Sequence, residues 1–298
     1  MALLWSGVFP ALTTQFRADG SLDLDATAYH LSAIADSGIR GVVMLGSLGE
    51  NNALTFAEKI EVLSMAVGTV GDKMPVLTGV SELSTAAAVD FVRAAEKAGV
   101  NGHMVMPAMV YRADDREALH HFRTVADAAT QPLMIYNNPL AYPVDLTPHL
   151  LEQLAENEKF VAVKESSADT RRVTQIFNQI GDRLAIFGGV DDLILEVGAL
   201  GAHGWVAGVG LAFPRENQAL WEMIQAGEWD KALALYRWYS PLLGLDIGTK
   251  FVQKIKLCLQ EVGFGTEHVR GPRLNLEGAE RADAMRIIHE GLARRPSL

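Results

Sequence analysis

The feature that most restricts the fold of this 298-residue chain is a regular alternation of two kinds of segment. From residue 7 to about residue 227, short apolar runs rich in β-branched and aromatic residues take turns with longer stretches of helical periodicity. The runs are "GVFPALT" (7–13), "GVVMLGS" (41–47), "PVLTGVS" (75–81), "HMVMPA" (103–108), "PLMIYNN" (132–138), "FVAVKES" (160–166), "LAIFGGV" (184–190) and "GWVAGVG" (204–210). The stretches between them, such as "DLDATAYHLSAIADSG", "TFAEKIEVLSMAVGTVG" and "STAAAVDFVRAAEKAG", open on Asp, Thr or Ser and close on Gly, the residues that cap helix ends. The runs are apolar on both faces, as parallel strands covered by helices must be. Eight such units predict an α/β fold of the (β/α)8 TIM-barrel type over residues 1–227. Residues 228–298, which include "WDKALALYRWYSPLLGLDI", read as helices only and form a C-terminal helical extension. Their Trp and Leu content suits packing on the barrel and an oligomer contact equally.

Composition narrows the partners. With 49% hydrophobic and 21% charged residues, the chain fits a soluble enzyme-sized protein. Its formal net charge of −10 disfavours nucleic acid and anionic membrane surfaces. The start, "MALLWSGVFPALTTQF", lacks the basic opening and apolar core of a secretory signal, and no run reaches the ~20 apolar residues of a membrane span, so a cytoplasmic location is expected. Cys258 is the only cysteine and sits in the apolar "KIKLCLQ", where a packed thiol is expected rather than a nucleophile.

In a barrel of this kind chemistry collects at the C-terminal strand ends. Three of them are polar: "GSLGEN" (46–51), "YNNP" (136–139) and "KES" (164–166). Strand alternation puts Phe160, Ala162 and Lys164 on one side, and Val161, Val163 and Glu165 on the other. If the first set faces the barrel interior, burial lowers the pKa of Lys164 and frees its amine to attack a carbonyl. The alternative is a buried lysine paired with a carboxylate such as Glu50, and the strand alone leaves both open. Tyr136 is placed either to shuttle protons beside that amine or to pack with its hydroxyl in water. Ser47 follows Gly46 in a loop whose backbone N–H groups suit a carboxylate, although a loop or cap serine is an equally good account. The glycines of the last two strands are read as allowing close backbone approach to the lysine pocket rather than as a phosphate cradle.

Other features carry less. His120 and His121 are adjacent and point apart on a helix, so no metal site is expected. "GVGLAFP" lacks the third glycine of a dinucleotide fingerprint. Arg171 and Arg172 open a predicted helix and read as a solvated face.

Taken together and in order, "GSLGEN", "YNNP", "VKES", "FGGVDD" and "GWVAGVG" resemble the dihydrodipicolinate synthase and N-acetylneuraminate lyase superfamily of Schiff-base-forming barrels, and the likeness covers essentially the whole chain. The resemblance implies that Lys164 forms the Schiff base, that Tyr136 is the proton shuttle, and that Ser47 with the backbone around Leu48 holds the carboxylate of a 2-oxo acid. Gly46, Leu48, Asn138, Gly189 and Val206 are the expected substrate contacts. No cofactor beyond the covalent lysine adduct is implied, and tetramers are usual among the proteins it resembles.

Three positions depart from the lysine-biosynthesis synthase. Leu48 replaces a second hydroxyl, Met109 replaces a tyrosine shared across subunits, and Ala141 stands where an arginine reads a second carboxylate. The combination "YNNPLAYPVDLTP", "VKESSADTRRV", "GVDDL" and "GWVAGVGLAFPRE" looks most like 4-hydroxy-1-pyrroline-2-carboxylate deaminases. A 2-keto-3-deoxypentonate dehydratase, a pyruvate-dependent aldolase, dihydrodipicolinate synthase itself and a non-catalytic 2-oxo acid sensor are the competing readings.

Overall fold

Each of the eight apolar runs contributes one parallel strand in the computed structural model, which describes residues 4–298. They are β1 (Gly7–Val8), β2 (Val42–Met44), β3 (Val76–Val80), β4 (Gly102–Val105), β5 (Leu133–Asn137), β6 (Phe160–Glu165), β7 (Ala185–Gly188) and β8 (Gly204–Trp205). Neighbours pair in the order β1-β8-β7-β6-β5-β4-β3-β2, and a parallel bridge between Ala11 and Val43 joins the first strand to the second. The sheet thus curls into the barrel that the alternation predicts. The strands are shorter than the runs because the polar and glycine-rich ends leave the sheet to build loops. The "GWVAGVG" run shows this most clearly, since after Trp205 it turns into a single 3-10 turn at Val209–Leu211.

Helices α1 (Leu24–Ala35), α2 (Phe56–Val70), α3 (Thr85–Lys97), α4 (Asp115–Ala128), α5 (Pro148–Ala155), α6 (Arg171–Ile180), α7 (Ile194–Ala199) and α8 (Pro214–Gln225) follow the strands in turn. The caps expected from sequence are made. The Asp23, Thr55 and Ser84 side chains accept from the N–H groups of Ala26, Glu58 and Ala87, each satisfying a donor the first helical turn leaves free. One expectation on β6 is corrected. Leu133 pairs with Phe160 but Met134 pairs with Ala162, so Val161 is an extra residue that breaks the alternation. Phe160 consequently packs on Phe122 of α4 instead of sharing the side of Lys164.

The helices α9 (Trp229–Leu243), α10 (Phe251–Val262) and α11 (Gly278–Ala293) follow α8. Cys258 is fully buried in α10, and burial pushes its thiol up to about 12, consistent with a packed rather than a reactive sulfur. A second correction concerns the paired arginines. Arg171 is solvated and bonded locally to Asp169, whereas the Arg172 side chain is only 13% exposed and holds Asp145 at 3.0 Å. Asp145 also accepts from Asn137, which donates in turn to Glu165, so this network fixes the loop after β5 against β6. Among the described residues no helix is long and apolar enough to cross a membrane.

Candidate active site

At the C-terminal mouth of the barrel lies a cavity of about 640 Å3. Parallel register sets Tyr136 of β5 directly beside Lys164 of β6, and the lysine Nζ sits 4.3 Å from the centre of the tyrosine ring. The lysine residue as a whole is 8% exposed. Burial pulls its pKa below the ordinary lysine value, and the nearby Asp246, Tyr142 and Asp191 oppose that shift. Glu50 does not serve as its partner. That carboxylate is instead fully buried against Lys256 of α10 at 2.8 Å, so the ion pair weighed for Lys164 belongs to another lysine.

The hydroxyls lining the cavity with the amine include those of Tyr136, Tyr142 and Ser47. The Tyr136 hydroxyl accepts a hydrogen bond from the Asn138 amide at 3.0 Å, and burial pushes the phenol up to about 12. Tyr142 meets the Tyr136 ring edge-on at 5.8 Å, is likewise raised to about 12 by burial, and hydrogen-bonds through its own hydroxyl to Ser47. Both phenols therefore keep their protons at neutral pH and are able to pass them on. Tyr142 escaped the sequence reading. It lies in "YNNPLAY", and a turn in which Asn138 accepts from the N–H groups of Ala141 and Tyr142 folds it back over the cavity. A second aromatic six residues after Tyr136 is the only signal the sequence offers.

The loop bearing Ser47 is held under strain. Leu45 and Glu50, on either side of it, both take left-handed backbone angles, with φ of 53° and 52°. Asn51 donates to the Leu45 carbonyl at 2.9 Å, and Glu50 is gripped by Lys256 and by the Arg270 N–H at 3.0 Å. These contacts supply the energy that keeps the loop in place. The expected contacts Gly46, Ser47, Leu48, Asn138, Gly189 and Val206 all line the cavity with Lys164 and Tyr136. Met109 does not line it, and Ala141 does.

Two acids were missed. Asp191, inside "FGGVDD", accepts from the Trp205 indole at 2.9 Å and the Val209 N–H at 2.7 Å, and so sets the backbone where β8 leaves the sheet. Asp246 reaches the cavity from the turn Gly244–Asp246 between α9 and α10. Gly208 makes room for it, since a Cβ there would lie 2.7 Å from an Asp246 carboxylate oxygen. Lys164 is the only Lys or Arg lining the cavity among the described residues, and Asp192 and Asp246 line it as well. The arrangement equips a buried amine to form an imine with a 2-oxo acid and to move protons around it.

The family model described as the dihydrodipicolinate synthetase family matches residues 4–291. The 4-hydroxy-tetrahydrodipicolinate synthase of Moorella thermoacetica is 32% identical over 95% of this chain and 96% of its own length. A second such synthase, from Streptomyces coelicolor, is 32% identical over 92% and 91%. The crystal structure of dihydrodipicolinate synthase from Aquifex aeolicus superposes with a TM-score of 0.91 at 26% identity, covering 96% of this chain and 98% of that one. A prophage protein of the same family from E. coli K12, solved in complex with pyruvate, gives a TM-score of 0.90 at 25% identity over 97% and 99%.

Proposed function

The chain belongs to the dihydrodipicolinate synthetase family, whose members are class I lyases working through a lysine Schiff base, and from that premise we propose that it is a 4-hydroxy-1-pyrroline-2-carboxylate deaminase built on Lys164. The observation that carries this reading is the charge of the cavity. Ala141 offers no guanidinium for a second carboxylate, and the lining holds two acids, Asp192 and Asp246, against the single cation Lys164, which suits a substrate whose distal end bears a hydroxyl and an amine.

On this reading Ser47 and the backbone at Leu48 hold the carboxylate, and Lys164 attacks C2 of the cyclic imine. Exchange opens the ring and leaves a lysine iminium with a hydroxyl at C4 and an amine at C5. The iminium acidifies C3, and Tyr136, with Tyr142 and Ser47 behind it, carries the protons that enter and leave around C2. Loss of water from C4 and tautomerisation place an imine at C5. Its hydrolysis releases ammonia, and hydrolysis at Lys164 releases 2,5-dioxopentanoate. We further propose that the working unit is a cytoplasmic homotetramer, with residues 1–227 as barrel and 228–298 as extension.

The names of the curated relatives favour a second reading, formation of 4-hydroxy-tetrahydrodipicolinate. Borohydride reduction with 4-hydroxy-1-pyrroline-2-carboxylate, peptide mapping, and an ammonia assay on the unreduced mixture decide between them. An adduct on Lys164 with ammonia release is the expected result. Absence of both, with turnover in a 4-hydroxy-tetrahydrodipicolinate assay, overturns the deaminase reading.

A further inference from the structure

Two acids line the cavity, Asp192 and Asp246, and Asp246 is the one whose charge acts on Lys164. Asp191 is consumed by the Trp205, Gly208 and Val209 donors, and Glu50 by Lys256 and Arg270. Glu165 accepts from Asn137 and from the Ser167 N–H. Asp246 is governed by burial and by the charges of Asp191, Lys164 and Asp192, with no hydrogen bond contributing. It is also the strongest electrostatic neighbour of Lys164. Burial next to another acid favours its protonated form.

Placement adds direction. The carboxylate cradle at Ser47 lies at the end of β2, and Lys164 at the end of β6, on the other side of the ring of strands. A five-carbon substrate anchored at the cradle and joined to Lys164 at C2 has its C4 and C5 atoms left to place, and Asp192 and Asp246 are the only carboxylic acids among the described residues that line the cavity. The missing Cβ of Gly208 is what admits the Asp246 carboxyl group.

Resting on the deaminase reading, we propose that Asp246 is the catalytic acid that protonates the C4 hydroxyl as it departs. In this step the enamine electron pair forms the lysine iminium, the C2–C3 double bond shifts to C3–C4, and the C4–O bond breaks. The Asp246 proton goes to the leaving oxygen, so water departs and Asp246 becomes a carboxylate. That carboxylate then takes a proton from C5, which restores the acid: the C5–H electron pair forms C4=C5, the C3–C4 double bond returns to C2–C3 and the lysine iminium becomes an enamine, and protonation at C4 then gives the C5 imine that is hydrolysed. A sugar-derived 2-oxo acid with oxygen at C5 would use the same acid at C4. A condensation on pyruvate keeps the hydroxyl that it forms at C4, so it has no departing water for this acid to protonate.

The test uses the full chain and Asp246→Asn, with pyruvate as a probe that shares the carboxylate and the carbonyl but has no C4. Borohydride trapping of pyruvate on Lys164 should persist in the variant, which also shows that it folds. With 4-hydroxy-1-pyrroline-2-carboxylate the variant should accumulate the adduct that still contains the C4 hydroxyl, while ammonia release falls about 100-fold or more. Asp246→Glu, which keeps the acid, should recover part of the rate. Water loss at the parent rate in Asp246→Asn overturns the proposal. So does a loss of pyruvate trapping as steep as the loss of turnover, because Asp246 would then act on the amine or the fold. If the parent enzyme releases no ammonia, the deaminase reading fails by itself, and water loss from a 2-keto-3-deoxypentonate adduct becomes the readout. Parent-dependent, Asp246-dependent dehydration there sustains the acid, and its absence in the parent overturns it.

Discussion

Substituting Gly189→Ala isolates how the barrel aims its lysine. Gly189 follows β7, its N–H donates to the Glu165 carbonyl at 2.9 Å, and its φ lies outside the left-handed region, so alanine suits the backbone. The added Cβ would stand 2.1 Å from Ser166 Oγ, 2.6 Å from Lys164 Cε and 2.8 Å from Lys164 Cγ. Carbon atoms in contact prefer about 3.5–4.0 Å, so the lysine stem has to retreat by roughly 1 Å. A misplacement of that size costs about 100-fold in rate, or ~2.7 kcal/mol of activation free energy. Stability should change by no more than about 2.6 kcal/mol. Alanine restricts the unfolded chain and returns about 0.4–1 kcal/mol, against an overpacking cost of about 1–3 kcal/mol. The assay is the rate of pyruvate adduct formation on Lys164, with ammonia release and a thermal melt alongside. The double variant Gly189→Ala/Ser166→Ala relieves only the serine clash and should recover the melt without the rate. A single variant within about threefold of the parent refutes the argument that the bare Cα positions the amine.

Removing the phenol with Tyr136→Phe should lower turnover by about 100-fold to 10,000-fold while a slow adduct still forms on Lys164, measured by trapping against steady-state rate; an unchanged rate denies Tyr136 the shuttle. Breaking the fully buried pair with Lys256→Met leaves Glu50 short of its nearest cation and should cost about 3–5 kcal/mol in urea unfolding, much of it regained in Glu50→Gln/Lys256→Met. His30 is fully buried, its Nε2 bonds the Leu211 carbonyl at 2.9 Å, and burial lowers its pKa from 6.5 to about 4. The unfolded chain binds that proton first, so stability should fall as pH drops from about 6.5 to about 4, by up to about 3 kcal/mol. His30→Gln should flatten urea midpoints over that window, and an unaltered slope would assign the acid sensitivity to other groups.

What the sequence reveals about this site follows from distance along the chain. Alternation is local, so the eight strands, their order and the cluster of Ser47, Tyr136 and Lys164 at one mouth were legible. The bulge at Val161 was not, because it shows only in how β6 pairs with β5. Tyr142 arrives by a turn whose direction the letters do not state. Glu50 looked like the natural partner for a buried lysine, and the lysine it finds is 206 residues away. Asp191 was overlooked because its neighbours are glycines, which drew the reading to backbone geometry. Asp246 comes from a stretch read as helical packing, where a single acid carries no pattern.

The Glu50 contacts also bear on how such a protein is assembled and altered. The strained loop that carries Ser47 is translated early, yet the groups that hold it, Lys256 and the Arg270 N–H, follow by 206 and 220 residues. A nascent chain that has completed all eight strands still lacks the clamp on its first site loop, so activity arrives with α10 and the segment after it rather than with the barrel. The same dependence limits exchange between relatives: a foreign extension must bring a buried cation to Glu50, or the recipient barrel inherits every residue of the lysine pocket with its carboxylate cradle out of register.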